Sequence, residues 1–425
     1  MYDLHTDHTQ RLHIKTNTEF LFQGLTLQLL HIPSETVDQI AVWLPRKQAL
    51  LSADIVYNSF PNIFTLRGET ARSSFDWYKS IDRLRSLRAK YLIPNHTPPL
   101  SDPKEISAFL TNYRDAIQFV NDQTTRLFNR RIHVDEIVRR VKLPSTLANL
   151  PYMVEFYGTV EWAVRSIHSN YSGWFHGKAQ ELFPLSEQER ANKLKEMMNS
   201  TCTGSPVSDM VTSSQNNAMK SSLHFNATGR YLYVESQWAV EVANLAQLAS
   251  EAGSAEHERA KAAKRIALQQ MSGWTTSINA KYYFLSTAFE SKIGGPSLPF
   301  NQAKDFLVGE LQMHDLLPLL SLAVDSSKCD PTDSEKIWLH LSDIRANYMF
   351  ILRNCILEFV SDKKLMGHQY DAKVSTTSRV VRSILNHQVT GTQAYFSGDV
   401  IFKGNLMSLK KLNDSLVPEM SMHFC

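Results

Sequence analysis

His31–Gly68 reads HIPSETVDQIAVWLPRKQALLSADIVYNSFPNIFTLRG, and Ile93–Thr97 adds IPNHT. Between the polar words lie apolar runs of strand length. Gln39–Leu44 and Ala49–Ala53 flank the turn Pro45-Arg46-Lys47, and Tyr91–Ile93 stops at Pro94. Upstream, Leu25–His31 alternates as a strand. Downstream, Trp77 to Lys90 has helical spacing, with Trp77, Ile81, Leu84 and Leu87 on one face. Residues 1 to about 100 therefore predict an α/β layer. Glu35 follows a Pro-Ser turn, Asp54 follows Ala49–Ala53, and His96 follows Tyr91–Pro94. Each stands just beyond a run that would deliver its side chain to one edge of a sheet. Two acids and an imidazole are ligands that suit zinc.

From Asp102 to about Ser250 the pattern turns helical. Ile106, Phe109, Leu110 and Tyr113 begin an apolar face that continues through Ile117, Phe119 and Val120. Glu136–Val141 and Gly158–His168 predict two more helices, and the Ser- and Thr-rich stretch Asn199–Asn217 predicts a loop. Ser236–Ala246 and Ala260–Ser272 predict a helix pair resembling a tetratricopeptide hairpin, too little for a repeat array. Gly294–Pro299 marks a break. Beyond it, a helix over Ala303–Leu322 precedes strands at Lys336–Ser342, Asn347–Arg353 and Cys355–Val360. A helix at Val380–His387, a strand at Asp399–Gly404 and a helix at Leu406–Leu416 follow.

A chain of 425 residues has room for about two to three domains. Its 43% hydrophobic and 20% charged content is that of an ordinary soluble globular protein. Net charge is +3 with no dense Lys/Arg block, so neither nucleic acid nor an anionic membrane surface is implied as a partner. Cys202, Cys329, Cys355 and Cys425 are far apart and show no CxxC spacing, which argues against a disulfide framework and suits a reducing compartment. The start of the chain has no apolar core of signal-peptide length, and no 18-residue apolar run occurs anywhere, so the expected location is cytoplasmic.

The Glu35, Asp54 and His96 pattern resembles the second half of a metallo-β-lactamase-type metal site. The words SETVDQI at Ser34–Ile40, FPNIFTLRG at Phe60–Gly68 and TNYRDAIQFVNDQT at Thr111–Thr124 resemble one branch of it, the alkylsulfatase family. The resemblance spans essentially the whole chain and is strongest over Ile32–Trp174. It implies three segments: 1–101 as the C-terminal half of an αββα sandwich, 102–293 as a helical dimerisation domain, and 302–425 as a sterol-carrier-like α/β domain. The family's first metal motif, HxHxDH, would lie about a hundred residues before Glu35. His5-Thr6-Asp7-His8 carries only half of it and reads as polar chain.

The resemblance also implies roles. Glu35 matches an acidic ligand on a first zinc, Asp54 the acid bridging two zincs, and His96 a histidine on the second. Asn62 and Arg67 match residues gripping the sulfate group, a task suited to the planar guanidinium fork of arginine. The alternative for Arg67 is an ion pair with a neighbouring acid such as Asp76. Arg72 falls where relatives carry a basic residue near the leaving oxygen, a catalytic position. Tyr171 could line the pocket or serve in a core or interface. The implied activity is zinc-dependent hydrolysis of alkyl sulfate esters to alcohol and sulfate by a homodimer, with an apolar wall for the alkyl tail. Without HxHxDH, the expectation for this chain alone is weak zinc binding and negligible turnover. The alternative is a non-catalytic, dimerising module that binds an apolar-tailed small molecule.

Overall fold

The Ile40–Leu44 and Ala49–Ala53 strands (β3 and β4) form an antiparallel hairpin closed by Pro45–Gln48, where Gln48 takes up the left-handed region at φ 50°. Burial alternates along both strands of this hairpin, but not along Leu25–His31, in the structure, a computed structural model that describes residues 18–66, 68, 70–201, 229–275, 277–293, 300–361 and 369–417. Contacts group the chain into two compact units, residues 1–173 with 301–425, and residues 174–300.

In the first unit, β1 (Thr18–Phe22), β2 (Leu25–His31), β3, β4 and β5 (Tyr91–Pro94) form a five-stranded sheet in sequence order. Within this sheet only β4 and β5 pair in parallel, and a parallel pair needs a crossover. The crossover contains α1 (Ser74–Arg85). Ser73 caps it by accepting from the Asp76 amide, and Trp77, Ile81 and Leu84 are buried on its inner face. The helix ends five residues short of the expected Lys90. Chain direction changes at Arg88, whose φ of 53° no helix can carry.

The Pro103–Asn129 helix (α2) starts at an Asp102 cap with proline in its first turn. The sequence predicts one apolar face, yet every residue from Tyr113 to Leu127 is buried. Several of its polar positions are paired instead of solvated. Asp115 accepts from Arg353 Nε and Nη2 (both 2.7 Å) and from Asn354 Nδ2 (3.0 Å). Gln118 donates to the Leu357 carbonyl at 3.1 Å, and Gln123 to that of Val324 at 3.0 Å.

These contacts join α2 to a second five-stranded sheet, ordered β10-β9-β6-β7-β8. Its strands are β6 (Ser334–Leu341), β7 (Ala346–Arg353), β8 (Ile356–Ser361), β9 (Ala372–Thr376) and β10 (Ile401–Gly404). Leu320, Ile337, Leu352, Leu385 and Leu412 lie in its own core. The C-terminal segment nonetheless does not stand apart, because β8 and the Val324 segment dock on α2. The helix expected over Ala303–Leu322 is also broken, into Phe300–Glu310, Met313–Leu316 and a 3₁₀ turn at Leu317–Ala323. Extended Gln312 interrupts it, and Pro318 lacks the amide that a continuing helix would use.

The cysteine expectation is corrected as well: Cys329 and Cys355 form a disulfide, with Cα atoms 5.6 Å apart. Asn354 and Cys355 are the two left-handed residues of the tight β7–β8 turn, and this turn carries Cys355 to Cys329. No CxxC spacing is needed when a hairpin tip supplies the approach.

The second unit contains the Glu187–Thr201, Gly229–Ala249, Ala255–Trp274 and Ile278–Ile293 helices. Ala239, Val240, Leu268, Met271 and Phe284 pack its core. Both members of the expected helix pair are present, each longer than its sequence signal. The break at Gly294–Pro299 and most of Asn199–Asn217 lie outside the described residues, as do His5, Asp7, His8 and Arg67. No described helix is long and apolar enough to cross a membrane.

Candidate functional site

Strand ends build the site. β2 runs into the Ile32–Gln39 connection that carries Glu35, β4 ends at Ala53 just before Asp54, and β5 ends at Pro94 before His96. Ala53 sits at φ 51°, and the β4–β5 register slips between Leu51 and Ala53. Such a bulge re-aims the following side chain. The loops are then tied together. Asn95 N donates to the Ala53 carbonyl at 3.3 Å, and Asn58 N donates to Thr97 Oγ1 at 2.8 Å. With its amide turned to satisfy both ends, Gln39 accepts from Asp54 N at 3.0 Å and donates to Ser34 Oγ at 3.0 Å.

The expected ligands divide into two groups. His96 Nε2 lies 3.3 Å from Asp54 Oδ1, and the imidazole is mostly exposed. Glu35 belongs to a different set. Its Oε1 accepts from Arg72 Nη1 at 2.8 Å and from the Tyr57 hydroxyl at 2.9 Å. Arg72 Nη1 also donates to the Asn62 carbonyl at 2.7 Å, and Tyr57 Oη accepts from Asn62 N at 2.7 Å. Glu35, Arg72, Asn62 and Tyr57 thus close a ring of hydrogen bonds.

Electrostatics follow from burial. Desolvation pushes the Glu35 carboxyl above its ordinary range; the Arg72 charge and the Tyr57 hydroxyl oppose that, and the Asp54 charge adds to it. Tyr57 is pushed well up, first by burial and then by the Glu35 charge, so it remains a neutral donor at physiological pH. The Arg72 side chain is only 4% exposed. Asn62 is 3% exposed, and its Oδ1 has no hydrogen-bond partner among the described residues. Tyr171, the remaining expected pocket residue, stacks its ring on Phe128 with centroids 5.6 Å apart.

Two residues of this site escaped the sequence reading. Tyr57 lies inside the opening quotation, but nothing in ADIVYNS marks a tyrosine that holds both an acid and a backbone amide. Gly158 precedes the Val160–Ser172 helix and faces the Asn62 loop. A Cβ there would stand 2.4 Å from the Pro61 carbonyl oxygen and 2.6 Å from Asn62 Cα. Only glycine permits that approach. Next to it, the Val154 carbonyl accepts from Phe60 N and from Ser59 Oγ, each at 2.9 Å.

The donor set does not fit a pair of zinc ions as it stands. Among the described residues, no group of three or more His, Cys, Asp or Glu side chains is placed to hold a metal ion. The Glu35 oxygen that faces the cluster already accepts from a guanidinium and a phenol.

Comparison with known proteins gives matches along most of the chain. A family model described as alkyl sulfatase dimerisation matches residues 133–294, and one described as alkyl sulfatase C-terminal matches residues 301–421. A linear primary-alkylsulfatase from Pseudomonas sp. is 29% identical over 399 residues, covering 91% of this chain and 70% of that protein. An alkyl/aryl-sulfatase of Saccharomyces cerevisiae is 23% identical over 384 residues, covering 89% of this chain and 55% of that protein. The solved sec-alkylsulfatase Pisa1 from Pseudomonas sp. is 21% identical with a TM-score of 0.41, covering 94% of this chain and 60% of that structure. The chain therefore spans little more than half the length of several relatives.

Proposed function

Because this chain belongs to the alkylsulfatase family of the metallo-β-lactamase superfamily, we propose that its site handles alkyl sulfate esters, in the chemistry that yields alcohol and sulfate. The observation that carries this reading is the buried Glu35–Arg72–Asn62–Tyr57 ring beside the Asp54–His96 pair. On this reading, Asn62 and Arg67 grip the sulfate group, and Tyr171 lines the approach. Arg72, at the position where relatives carry a basic residue near the leaving oxygen, acts by fixing Glu35 and the Asn62 backbone. Glu35, Asp54 and His96 descend from zinc-ligand positions. A zinc ion held at such positions would supply Lewis-acid activation of water.

Segments 1–101, 102–293 and 302–425 are, in this proposal, the evolutionary modules: a partial metallo-β-lactamase-like layer, a dimerisation module and a sterol-carrier-like module. The family-model boundaries support the last two. Packing cuts across them, since α2 is central to the first compact unit.

The test is to mix the purified chain with decyl sulfate, below its micelle concentration, and to follow both binding and sulfate release. Binding that depends on Asn62, with release near background in the presence of zinc, is expected. Full turnover with tight zinc binding would overturn the weak-turnover expectation, and no binding at all would overturn the substrate class. Assembly is a separate expectation. The chain should run as a homodimer in light scattering at micromolar concentration, through residues of the dimerisation module. Monomer alone would remove that assignment.

A second reading rests on one observation. Tyr395, Phe396, Val400, Phe402, Leu406 and Leu409 line an apolar cavity of about 240 Å³ in the C-terminal segment. It favours a dimerising module that takes up an apolar-tailed molecule without cleaving it. Equal binding of decyl sulfate and decanol would favour this reading, since only the first carries a sulfate to grip.

A further inference from the structure

We propose that Arg72 is the resident cation of Glu35, occupying by charge the role that a metal ion would otherwise play at this carboxylate. The geometry begins with placement. Arg72 does not reach Glu35 by chance of a flexible surface chain: its guanidinium is buried, and the same Nη1 that donates to Glu35 Oε1 at 2.8 Å donates to the Asn62 carbonyl at 2.7 Å. A backbone acceptor thus fixes the cation independently of the acid.

Tyr57 completes the arrangement from the other side. Its hydroxyl is oriented by the Asn62 amide, which it accepts at 2.7 Å, so its proton is directed to Glu35 Oε1 at 2.9 Å. The Tyr57 ring is itself held edge-on by Tyr113, with centroids 5.8 Å apart. One carboxylate oxygen therefore receives two fixed donors, one of them charged. Removing either would leave a buried acceptor short of a partner, which is costly.

A dication at Glu35 would meet three obstacles. Both lone pairs of Oε1 are occupied, so the ion is restricted to Oε2. The carboxylate charge is already balanced by a guanidinium, so a metal would add uncompensated positive charge in a partly desolvated site. The guanidinium cannot lose its proton to relieve this, unlike a lysine or histidine. Asp54 and His96 can bind a cation weakly without disturbing the ring; Glu35 cannot join them while Arg72 is in place.

The consequence is an acid at an ancestral ligand position that now serves to hold the Asn62 loop. This goes beyond the ester reading and does not depend on it, because metal affinity is measured, not turnover. The experiment titrates the full chain with zinc by calorimetry and follows the zinc-induced shift of its thermal midpoint. Glu35→Gln should leave wild-type zinc affinity unchanged within about twofold, whereas loss of a true ligand weakens it about tenfold or more. Arg72→Gln should raise zinc affinity by about tenfold, and adding Glu35→Gln to it should remove the gain. A tenfold loss on Glu35→Gln in the otherwise wild-type chain would overturn the proposal, as would a folded Arg72→Gln chain with no gain. If Arg72→Gln does not fold, the comparison of wild type with Glu35→Gln decides alone.

Discussion

Asp115→Ala is expected to destabilise the first compact unit by about 3–5 kcal/mol, the range for removing one partner from a buried ion pair. Asp115 is fully buried and receives both ends of the Arg353 fork, Arg114 Nη1 at 3.0 Å and Asn354 Nδ2. Arg114 continues the network to Asp82 at 2.8 Å, and Arg85 joins Asp82 to Glu358 at 2.8 and 2.9 Å. Burial alone would raise the Glu358 carboxyl, but Arg114, Arg353 and Arg85 hold it well below its ordinary range. Without Asp115, three guanidinia (Arg85, Arg114 and Arg353) would share Asp82 and Glu358, and the β7–β8 tip would lose its main hold on α2. Urea unfolding followed by tryptophan fluorescence measures the effect. A loss below about 1 kcal/mol would mean that water enters and screens the network.

The second large effect is steric. Gly158→Ala should cost about 1–3 kcal/mol or more, because the added methyl meets backbone and not a movable side chain. The Pro61–Asn62 segment must shift, and with it the carbonyl and amide that place Arg72 and Tyr57. Decyl sulfate binding should fall together with stability. Gly273→Ala is the matched control: among the described residues, no atom beyond its chain neighbours and its own helix backbone lies within 4 Å of its Cβ position, and it lies in the Ala255–Trp274 helix. There the same change should be neutral or gain up to about 1 kcal/mol through helix propensity. Equal behaviour of the two variants would show that the close approach at Gly158 relaxes without cost.

Much of the first sheet was legible in the sequence. Leu25–His31, Ile40–Leu44, Ala49–Ala53 and Tyr91–Pro94 alternate or run apolar over strand lengths, and turn residues bound them. Those signals are local, since a strand exposes its pattern residue by residue. The same holds for the inner face of α1 and for the helix pair of the second unit. The positions of Glu35, Asp54 and His96 past strand ends were legible for the same reason: a strand carries its last side chains to the sheet edge.

What those side chains do once there was not legible. Glu35 and Arg72 are 37 positions apart, and no spacing rule joins them. The helical period of α2 revealed its apolar face but not the burial of Asp115, Gln118 and Gln123. A polar residue reads as solvated until a second element supplies its partner, and here that element comes more than 200 positions later. The Cys329–Cys355 bond likewise depends on a hairpin tip. Sequence alone determined most of the elements, because backbone periodicity and turn chemistry act over a few residues. Tertiary structure decided the distant partners of the buried charges Arg72, Asp115 and Glu358, because desolvation is a property of the surroundings and appears only when distant segments close over the group.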